Sequence, residues 1–456
     1  MKESLNLIKD LSKGELLVKA GQVDIDINGV SIDTRTLNKG NIYIPIIGEN
    51  FDGHDFIEKA AKNGAYATFW DKKHELPNID IPIILVDDTK IALRTLARGY
   101  RLLVNPKVIA ITGSNGKTTT KDMLYSSLKT KYKTHATKGN QNNDIGLPLT
   151  VLSMEEDTEV LILEMGTESF GEIKILTEIG MPNYALITNI ADSHLNVLKT
   201  KENVAKEKLD IVKGFVDSGI FYYNNDDPIL RKKTLEILKG LDIKSIGKKE
   251  GSDFLIEDVE KTELGTSFKI NGEEINLNLK GDHQVYNAAM AYAVLQNFNL
   301  NTKEINDAIN NTEFTKMRND CIKLKKIKLL DDSYKSNPQN LKAAIETLLE
   351  DKDPKRHILI LSDMLDLGEN SKQLHYMVKD FLTDEIDLVL ATGNESKEII
   401  RGAKEVLGED KAIFFESKKE LIHSLKELIL EGDYVLVKGS RAMRMEEVVD
   451  YLKENF

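Results

Sequence analysis

Short apolar runs alternate with amphipathic stretches along the chain, and the alternation divides it into three α/β regions. Residues 1 to about 104 combine short apolar runs, such as Ile42 to Ile47, with Gly and Asp turns, which is typical of a small α/β domain. From residue 105, β-branched strands alternate with helical stretches, and a second alternation of this kind begins near residue 314. Such alternation predicts parallel sheets. We therefore expect an α/β protein with domains at 1–104, 105–313 and 314–456, the central one built on a parallel sheet and the last one Rossmann-like.

A glycine loop follows the first strand of the central region, VIAIT. It reads Thr-Gly-Ser-Asn-Gly-Lys-Thr-Thr from Thr112 to Thr119 and precedes a helix, the context in which backbone N–H groups surround phosphates. Lys117 would then neutralise phosphate charge, and the Thr118 hydroxyl would bind Mg²⁺. The usual pattern has Gly where this chain has Ile111, so the loop is a variant. An ordinary turn before a helix is the alternative, but strand, glycines, Lys and Thr together favour nucleotide binding.

Two polar residues follow later strands of the central region. Glu164 closes the apolar run Val160 to Leu163, and His194 lies just beyond the predicted strand Ala185 to Ile190. The carboxyl ends of parallel strands are where α/β sheets bind ligands. Beside the phosphate loop these residues predict a Mg²⁺ site, although imidazole is an uncommon ligand for so hard an ion. Each residue alone could equally be a polar loop residue.

The stretch from Glu202 to Asp217 has helical periodicity and places Lys208 on its apolar face, between Val204 and Ile211. A lysine on a buried face loses its charge readily, and a neutral amine can react with carbon dioxide to give a carbamate, which is an anionic metal ligand. The alternative is a lysine whose amine reaches solvent. The pattern by itself favours that alternative.

Composition and charge exclude several classes of protein. The 456 residues carry a formal net charge of -12, which argues against a nucleic-acid partner. No run approaches the ~18 apolar residues of a membrane span, and the N-terminus lacks the apolar core of a secretion signal, so we expect a cytoplasmic protein.

The single Cys321 is expected to be buried and inert. The lysines between 323 and 328 alternate with apolar residues and predict a strand with one solvated basic face.

Taken together, these motifs resemble the Mur ligase family over essentially the whole chain. The phosphate loop ITGSNGKTTT, the segment NQNNDIGLPL from Asn140, and the segments LEMG and ITNIADSHL all match the family pattern. The resemblance implies an ATP-dependent ligase that forms an amide bond through an acyl phosphate in peptidoglycan synthesis. Within the family, the likeness implies that D-alanyl-D-alanine is joined to UDP-N-acetylmuramoyl-tripeptide.

The resemblance also implies roles for individual residues. It makes Lys208 the carbamylated lysine of the family, which reverses the preference drawn from the pattern, and it implies two Mg²⁺ ions. The implied metal ligands are Thr118, Glu164, His194 and carbamylated Lys208. The implied catalytic residues are Lys117, Lys208, His194 and Arg318. The implied ATP-binding residues are Gly113, Ser114, Asn115, Gly116, Lys117, Thr118, Thr119, Asn287, Arg318 and Asp332. The implied substrate-binding residues are Ser31, Thr34, Arg35, Asn140, Asn143, Ser333, Tyr334 and Asn337.

The resemblance also implies which part of the substrates each domain binds. The first domain, with SIDTR from Ser31 and DGHDF from Asp52, resembles the UDP-binding end. In the central and last domains, Asn287 is expected at the adenine, Arg318 at the γ-phosphate and Asp332 at the ribose. The last domain also carries SDMLDLGE and VKGSR, both typical of this kind of ligase, and is expected to close on ATP and to bind the dipeptide.

One segment departs from the family pattern. Where these ligases usually read Asp-Asp-Ser-Tyr-Asn-Ala-Asn-Pro, this chain reads Asp-Asp-Ser-Tyr-Lys-Ser-Asn-Pro from Asp331 to Pro338. If Lys335 faces the incoming dipeptide, a depsipeptide or D-alanyl-D-serine becomes conceivable as the acceptor. If Lys335 faces solvent, the acceptor is unchanged.

Three other functions are less consistent with these residues. A folylpolyglutamate synthase would share the nucleotide and C-terminal domains but would lack the SIDTR and DGHDF segments. A non-catalytic binding protein of the same fold would not need intact Lys117, Thr118, Glu164, His194 and Lys208. A GTPase or kinase would leave the third domain unexplained. We expect an enzyme with small-molecule substrates that acts as a monomer.

Overall fold

The computed structural model of the protein describes residues 1–18, 25–216, 218–262 and 265–456. Within these residues it contains three successive α/β units, each built on its own main sheet. The predicted α/β class with three domains is therefore confirmed. The boundaries at 104/105 and 313/314 stay predictions.

The first unit combines a two-stranded sheet of order β1-β3 with a five-stranded sheet of order β2-β7-β6-β5-β4. The apolar run from residue 42 to residue 47 forms a strand only at Ile42–Tyr43, because Pro45 has no N–H group to continue the ladder. The elements in chain order are β1 (Lys2–Ser4), α1 (Leu5–Ser12), β2 (Glu15–Leu17), β3 (Asp26–Asn28), β4 (Val30–Ser31), β5 (Ile42–Tyr43), α2 (Ile57–Lys62), β6 (Ala67–Asp71), β7 (Ile83–Val86) and α3 (Thr89–Val104).

The second unit is built on a nine-stranded sheet of order β16-β15-β14-β13-β12-β11-β8-β10-β9, parallel from β14 to β9 and antiparallel from β14 to β16. The elements are β8 (Lys107–Thr112), α4 (Lys117–Leu128), β9 (Thr134–Ala136), α5 (Gly146–Leu152), β10 (Val160–Glu164), α6 (Glu172–Gly180), β11 (Tyr184–Ile187), α7 (Leu195–Leu198), α8 (Lys201–Leu209), β12 (Ile220–Asn224), α9 (Pro228–Ile237), β13 (Asp242–Gly247), β14 (Phe254–Lys261), β15 (Thr266–Ile270), β16 (Glu273–Leu277), α10 (Asp282–Leu295) and α11 (Thr302–Asn310).

The third unit is built on a six-stranded sheet of order β17-β18-β22-β19-β20-β21, parallel except for the edge strand β17. Its elements are β17 (Asp320–Lys323), β18 (Lys328–Asp332), α12 (Pro338–Leu349), β19 (Arg356–Ser362), α13 (Ser371–Tyr376), β20 (Leu388–Thr392), α14 (Ser396–Leu407), β21 (Ala412–Phe415), α15 (Lys418–Leu428), β22 (Asp433–Lys438) and α16 (Glu446–Asn455). Short 3₁₀ helices also occur at Gly53–Phe56, Asp210–Gly214, Gly368–Asn370, Met377–Phe381, Glu409–Lys411 and Arg441–Met443.

Continuous apolar runs become the inner strands of both large sheets. The strands β10, β20 and β22 are buried along their whole length, as expected where helices cover both faces of a parallel sheet. The central strand β8 pairs with β10 on one side and with β11 on the other. The loops that follow these three strands therefore meet at one edge of the sheet.

Three local predictions need correction. The helix expected from Glu202 to Asp217 ends at Leu209 and continues as the 3₁₀ helix Asp210–Gly214, while residue 217 lies outside the described residues. The last turn tightens there because it packs against α6: Thr177 donates to the Ile211 carbonyl at 2.5 Å, and a Cβ on Gly214 would lie 2.2 Å from the Thr177 carbonyl oxygen.

Cys321 is exposed, not buried as predicted, because it lies on the edge strand β17. The lysine-rich stretch after it is not one strand. It forms the end of β17 at Lys323, a turn, and the start of β18 at Lys328.

Helix α3 connects the first unit to the second. Its Arg101 is 2% exposed and donates to the carbonyls of Gly180 at 2.9 Å and Met181 at 3.0 Å, at the end of α6. The Tyr100 hydroxyl donates to the Met154 carbonyl at 3.1 Å. These buried contacts position the first unit against the central one. The helices in the described part of the chain include none that could span a membrane.

Candidate functional site

A cleft of about 730 Å³ lies between the second and third units. It is lined from the central side by the loops after β8, β10 and β11, and from the other side by the segments around residues 318, 335 and 440. The predicted site residues that line it are Gly113, Ser114, Asn115, Gly116, Lys117, Thr119, Asn140, Asn143, Glu164, His194, Lys208, Asn287, Arg318, Asp332 and Tyr334.

The phosphate loop needs glycine at two of its positions. Gly113 has φ +147 and a Cβ there would lie 1.9 Å from Thr188 Oγ1, while Gly116 has φ +82 and a Cβ there would lie 2.3 Å from Asn287 Oδ1. Both positions are closed to larger residues. The loop is also held by its neighbours, since Asn115 N–H donates to Asn189 Oδ1 at 3.0 Å. A glycine at Ile111 is not required, because that residue is a buried member of β8.

Lys117 begins helix α4 and reaches back over the loop. Its Nζ donates to the Gly113 carbonyl at 2.8 Å. Burial, and then the charge of Lys335 nearby, lowers the pKa of Lys117 to about 7. A bound polyphosphate would restore its charge, because an anion favours the protonated amine.

Thr118 and Glu164 form a pair of buried oxygen groups beside the loop. Thr118 Oγ1 donates to Glu164 Oε2 at 2.7 Å, and Asn142 Nδ2 donates to Glu164 Oε1 at 3.0 Å. Burial by itself would raise the pKa of Glu164, but the charges of Lys117 and Arg318, together with the two hydrogen bonds, outweigh it and lower that pKa. Glu164 is thus kept as an anion, and a carboxylate beside a hydroxyl is a ligand set that suits Mg²⁺.

His194, the N-cap of α7, and Lys208 of α8 both line the cleft, and Lys335 lies beside His194. Lys335 Nζ donates to His194 Nε2 at 3.3 Å. Burial, and then Lys335 and Lys208, lowers the pKa of His194 to about 3, so its imidazole is neutral. Lys208 is 2% exposed, and burial lowers its pKa well below the ordinary value. The charges of Lys117 and Lys335 lower that pKa further, and the charge of Glu207 opposes them.

The C-terminal wall of the cleft carries further charges. The Arg318 guanidinium lies over the Tyr334 ring, 4.2 Å from the ring centroid, and its buried Nε has no hydrogen-bond partner among the described residues. Asp332 is ion-paired with Lys438, whose side chain is fully buried. Lys438 also donates to the Lys335 carbonyl at 2.8 Å, so one buried lysine holds two residues of the wall.

Asn287 and Asn337 both lie against the phosphate loop. Asn287 is in α10, bonds Gln284 at 3.0 Å, and contacts the loop at Gly116. Asn337 caps α12, and its Nδ2 donates to Asn115 Oδ1 at 3.0 Å. Asn337 does not line the cleft but joins its two walls.

Several predicted site residues lie elsewhere or have local structural contacts. Ser333 is fully buried, donates to Asp331 Oδ1 at 2.6 Å and does not line the cleft. Thr118 is also absent from the lining, because its hydroxyl is engaged by Glu164. Asn143 caps the turn into α5 by accepting from Gly146 N–H at 2.8 Å, and its neighbour Asn142, not Asn143, holds Glu164.

The SIDTR residues belong to the first unit and do not line the cleft. Ser31 donates to the Asp33 carbonyl at 2.9 Å, and Thr34 is buried. Arg35 is exposed and bonds both oxygens of Asp33, which lowers the pKa of Asp33 to about 2. Their predicted contact with the UDP end of the substrate stays a prediction.

Sequence reasoning missed several residues of the cleft. Asn142 and Lys438 both lie in motifs of the family pattern. The motifs therefore pointed to the right segments but not to these individual residues. Asp192 also lies in such a motif, ITNIADSHL, but no local pattern points to Gln339, the residue of the third unit that bonds it. Residues from different units can be paired only after the units are placed together.

A second polar cluster lies in the first unit, at the DGHDF segment. Asp52 Oδ1 bonds His54 Nδ1 at 2.6 Å, and Asp52 Oδ2 bonds His74 Nε2 at 2.9 Å. Burial would raise the pKa of Asp52, but the hydrogen bonds from His54 and His74 outweigh it and lower that pKa to about 2. The two imidazole rings are stacked, with centroids 3.9 Å apart and planes 9° from parallel. In-plane lone pairs of parallel rings do not converge on one ion, so the cluster serves as a structural anchor for Asp52.

Three family models match successive parts of the chain. The model described as "Mur ligase family, catalytic domain" matches residues 26–101, "Mur ligase middle domain" matches 111–295, and "Mur ligase, glutamate ligase domain" matches 317–441. Together they follow the order of the three units.

Curated relatives match over nearly their full length. The UDP-N-acetylmuramoyl-tripeptide--D-alanyl-D-alanine ligase of Bacillus subtilis is 37% identical over 100% of this chain and 99% of its own. The protein of the same name from Escherichia coli is 33% identical over 99% of this chain and 98% of its own.

Solved structures agree in fold. A crystal structure of MurF from Acinetobacter baumannii superimposes with a TM-score of 0.89 at 26% identity, covering 100% of this chain and 99% of that one. MurF ligase from Thermotoga maritima in complex with ADP gives a TM-score of 0.80 at 28% identity, covering 94% and 97%. The chain belongs to the Mur ligase family and is an ATP-dependent ligase of the MurF type.

Proposed function

We propose that the chain joins D-alanyl-D-alanine to UDP-N-acetylmuramoyl-tripeptide at the expense of ATP. The observation that carries the proposal is one cleft in which a phosphate loop, a buried carboxylate and an arginine from the third unit converge. Full-length relatives with that named activity support the choice of substrates. Because ATP and UDP-linked precursors are cytoplasmic metabolites, we place the reaction in the cytoplasm. The predicted monomer stays a prediction.

The proposed reaction has two steps. A carboxylate oxygen of the tripeptide attacks the γ-phosphorus of ATP, and the bond to the leaving ADP breaks, which gives an acyl phosphate. The amine nitrogen of the dipeptide, after losing a proton, attacks the acyl carbon and expels phosphate, which gives the amide. Both steps bring anions together, so a cationic, water-poor cleft lowers their barriers by positioning and charge neutralisation.

This chain's residues meet those demands from both walls of the cleft. Lys117 and the N–H groups of the loop hold the β- and γ-phosphates, and Arg318 neutralises charge on the γ-phosphoryl group from the third unit. Stacking on Tyr334 keeps the guanidinium in place. Asn287 and Asp332 are proposed to contact the adenine and the ribose. Asn140, Asn143 and Tyr334 are proposed to contact the substrates, with Ser31, Thr34 and Arg35 at the UDP end.

A magnesium ion is proposed at Thr118 and Glu164. Their oxygen atoms are hard donors beside the phosphate loop, and the depressed pKa of Glu164 keeps the carboxylate charged. The ion would draw electron density from the γ-phosphoryl group. The second ion predicted at His194 and Lys208 fits less well, because His194 Nε2 already faces Lys335.

Carbamylation of Lys208 is proposed on its burial. A charged ammonium group is costly inside a protein and beside other lysines, so Lys208 favours the neutral amine that reacts with carbon dioxide. The carbamate would be an anion among the cations Lys117 and Lys335. Its negative charge would offset their mutual repulsion.

The test is phosphate release from ATP and Mg²⁺ with UDP-N-acetylmuramoyl-tripeptide, measured with D-alanyl-D-alanine, D-alanyl-D-serine, D-alanyl-D-lactate or no acceptor. Release that requires D-alanyl-D-alanine is expected, and a Lys117→Ala variant is the inactive control. A preference for D-alanyl-D-serine or the depsipeptide would indicate a changed acceptor, which the position of Lys335 in the cleft makes worth testing. Silence with every acceptor would overturn the proposal in favour of a non-catalytic Mur-like protein.

A further inference from the structure

Lys335 is one of two cleft residues, with Ser336, at which this chain departs from the family pattern, and the structure places its ammonium group at His194. The side chain lines the cleft, and its Nζ lies 3.3 Å from His194 Nε2. The segment that carries it is firmly held. Its carbonyl accepts from Lys438 Nζ at 2.8 Å and from Asn340 Nδ2 at 3.3 Å.

The contact involves the lone pair that His194 would offer to a metal ion. A neutral imidazole has one N–H and one lone pair. Nε2 accepts from Lys335, and Nδ1 faces Asp366 Oδ2 at 4.0 Å, so the proton belongs on Nδ1. A metal ion can bind Nε2 only if it displaces the ammonium group of Lys335, which donates to the same lone pair.

The surrounding charges also disfavour a divalent cation at this point. Burial, and then the charge of Lys335, lowers the pKa of His194, so this lysine opposes positive charge on the ring. The carboxylate of Glu164 is engaged by Thr118 and Asn142 on the side of the phosphate loop. A divalent ion at His194 Nε2 would therefore meet the ammonium group of Lys335 directly, whereas Asp366 lies on the Nδ1 side of the ring, 4.0 Å from Nδ1.

We propose that the ammonium group of Lys335 replaces the second divalent ion at His194, so that this enzyme binds one divalent ion per ATP. Lys335 would then add its positive charge to that of the ion at Thr118 and Glu164 when the γ-phosphoryl group is bound. Lys335 acts as a positioning cation that the chain supplies itself. The inference rests on the proposed function, since it takes ATP as the ligand of the cleft.

The test counts divalent ions directly. Mn²⁺ is titrated into the full-length protein saturated with a non-hydrolysable ATP analogue and UDP-N-acetylmuramoyl-tripeptide, and bound Mn²⁺ is measured by electron paramagnetic resonance. The wild type is expected to bind one Mn²⁺. Lys335→Asn, which restores the residue usual in the family pattern, is expected to bind two. Lys342→Asn, at an exposed lysine of α12, is the matched control and should behave as the wild type.

The outcomes separate the inference from the proposed function. Two Mn²⁺ of similar affinity in the wild type would overturn the inference while leaving the proposed function intact. One Mn²⁺ in both the wild type and Lys335→Asn would overturn the role of Lys335. Failure of the wild type to bind the ATP analogue would overturn the proposed function, and the inference with it. The wild-type count stands even if the variant does not fold.

Discussion

The side-chain amide of Asn337 donates to Asn115 Oδ1 at 3.0 Å, so the N-cap residue of α12, in the third unit, is bonded to the phosphate loop. Asn340, at the third position of the same helix, donates to the same oxygen at 3.2 Å. Two hydrogen bonds therefore join the helix start to the phosphate loop. A nucleotide that orders the loop would also favour the closed arrangement of the two walls.

Asn337 is predicted to have two separable roles. Asn337→Ala removes both the N-cap and the contact with Asn115, and should lower the free energy of unfolding by about 1 kcal/mol and reduce kcat/KM for ATP. Asn337→Asp keeps a good cap but offers no N–H to Asn115. It should therefore retain stability and still lose kcat/KM. Thermal unfolding and steady-state kinetics distinguish the two effects. Full activity in Asn337→Asp would contradict a role for the contact.

Glu164 is predicted to be essential for metal affinity and dispensable for local packing. Glu164→Gln keeps a side-chain oxygen for Thr118 but loses the charge that Mg²⁺ requires. The Kd for Mn²⁺ in the presence of an ATP analogue should rise at least about tenfold. Isothermal titration calorimetry measures this affinity. Glu168→Gln is the control, since Glu168 also lines the cleft but is exposed, and it should leave the affinity unchanged.

Lys208 is predicted to carry a carbamate. Protein exchanged into ¹³C-bicarbonate should show a carbamate carbon signal by NMR that is missing in Lys208→Ala. Activity of that variant should fall by about 100-fold or more, and a short carboxylate such as formate should restore part of it. Lys206→Ala, at an exposed lysine of the same helix, should keep both the signal and the activity. Full activity of Lys208→Ala without a carboxylate would argue against the carbamate.

Asp52 is predicted to stabilise the first unit in a pH-dependent way. Its pKa is about 2 in the folded protein and near 3.8 when unfolded, so its contribution is present above pH 3.8 and is lost as pH falls towards 2. Asp52→Asn should destabilise the first unit by about 2 kcal/mol at pH 7, because hydrogen bonds to a charged group are lost. The difference from wild type should vanish in acid.

The single tryptophan provides the readout for this prediction. Trp70 is 4% exposed and meets the His54 ring edge-on at 4.7 Å, so its fluorescence reports on unfolding beside Asp52. Asp55→Asn, at an exposed acid in the same segment, is the control. A constant stability difference between Asp52→Asn and wild type from pH 7 to pH 2 would contradict the role of ionised Asp52.

The chemistry of residues that are close along the chain could be predicted from the sequence alone. The residues from Gly113 to Thr119 are neighbours along the chain, and the strand before them and the helix after them are sufficient to form a phosphate loop. Helical spacing alone predicted that Lys208 lies on a buried face, and the structure agrees. The position of Glu164 at the end of β10 was also predictable, but the strand predicted from Ala185 to Ile190 ends at Ile187, and His194 lies farther along as the N-cap of α7.

Pairings between distant residues depended on the tertiary structure. Lys335 meets His194 across 141 residues and Asn337 meets Asn115 across 222, and no periodicity specifies such contacts. Whether Lys335 faced the cleft or solvent was open until β18 and α12 were placed. Cys321 is exposed because β17 is the edge strand, a fact of sheet order. Local patterns determine which residues can form an element and which face is apolar, whereas long-range packing of the units decides what each polar side chain meets.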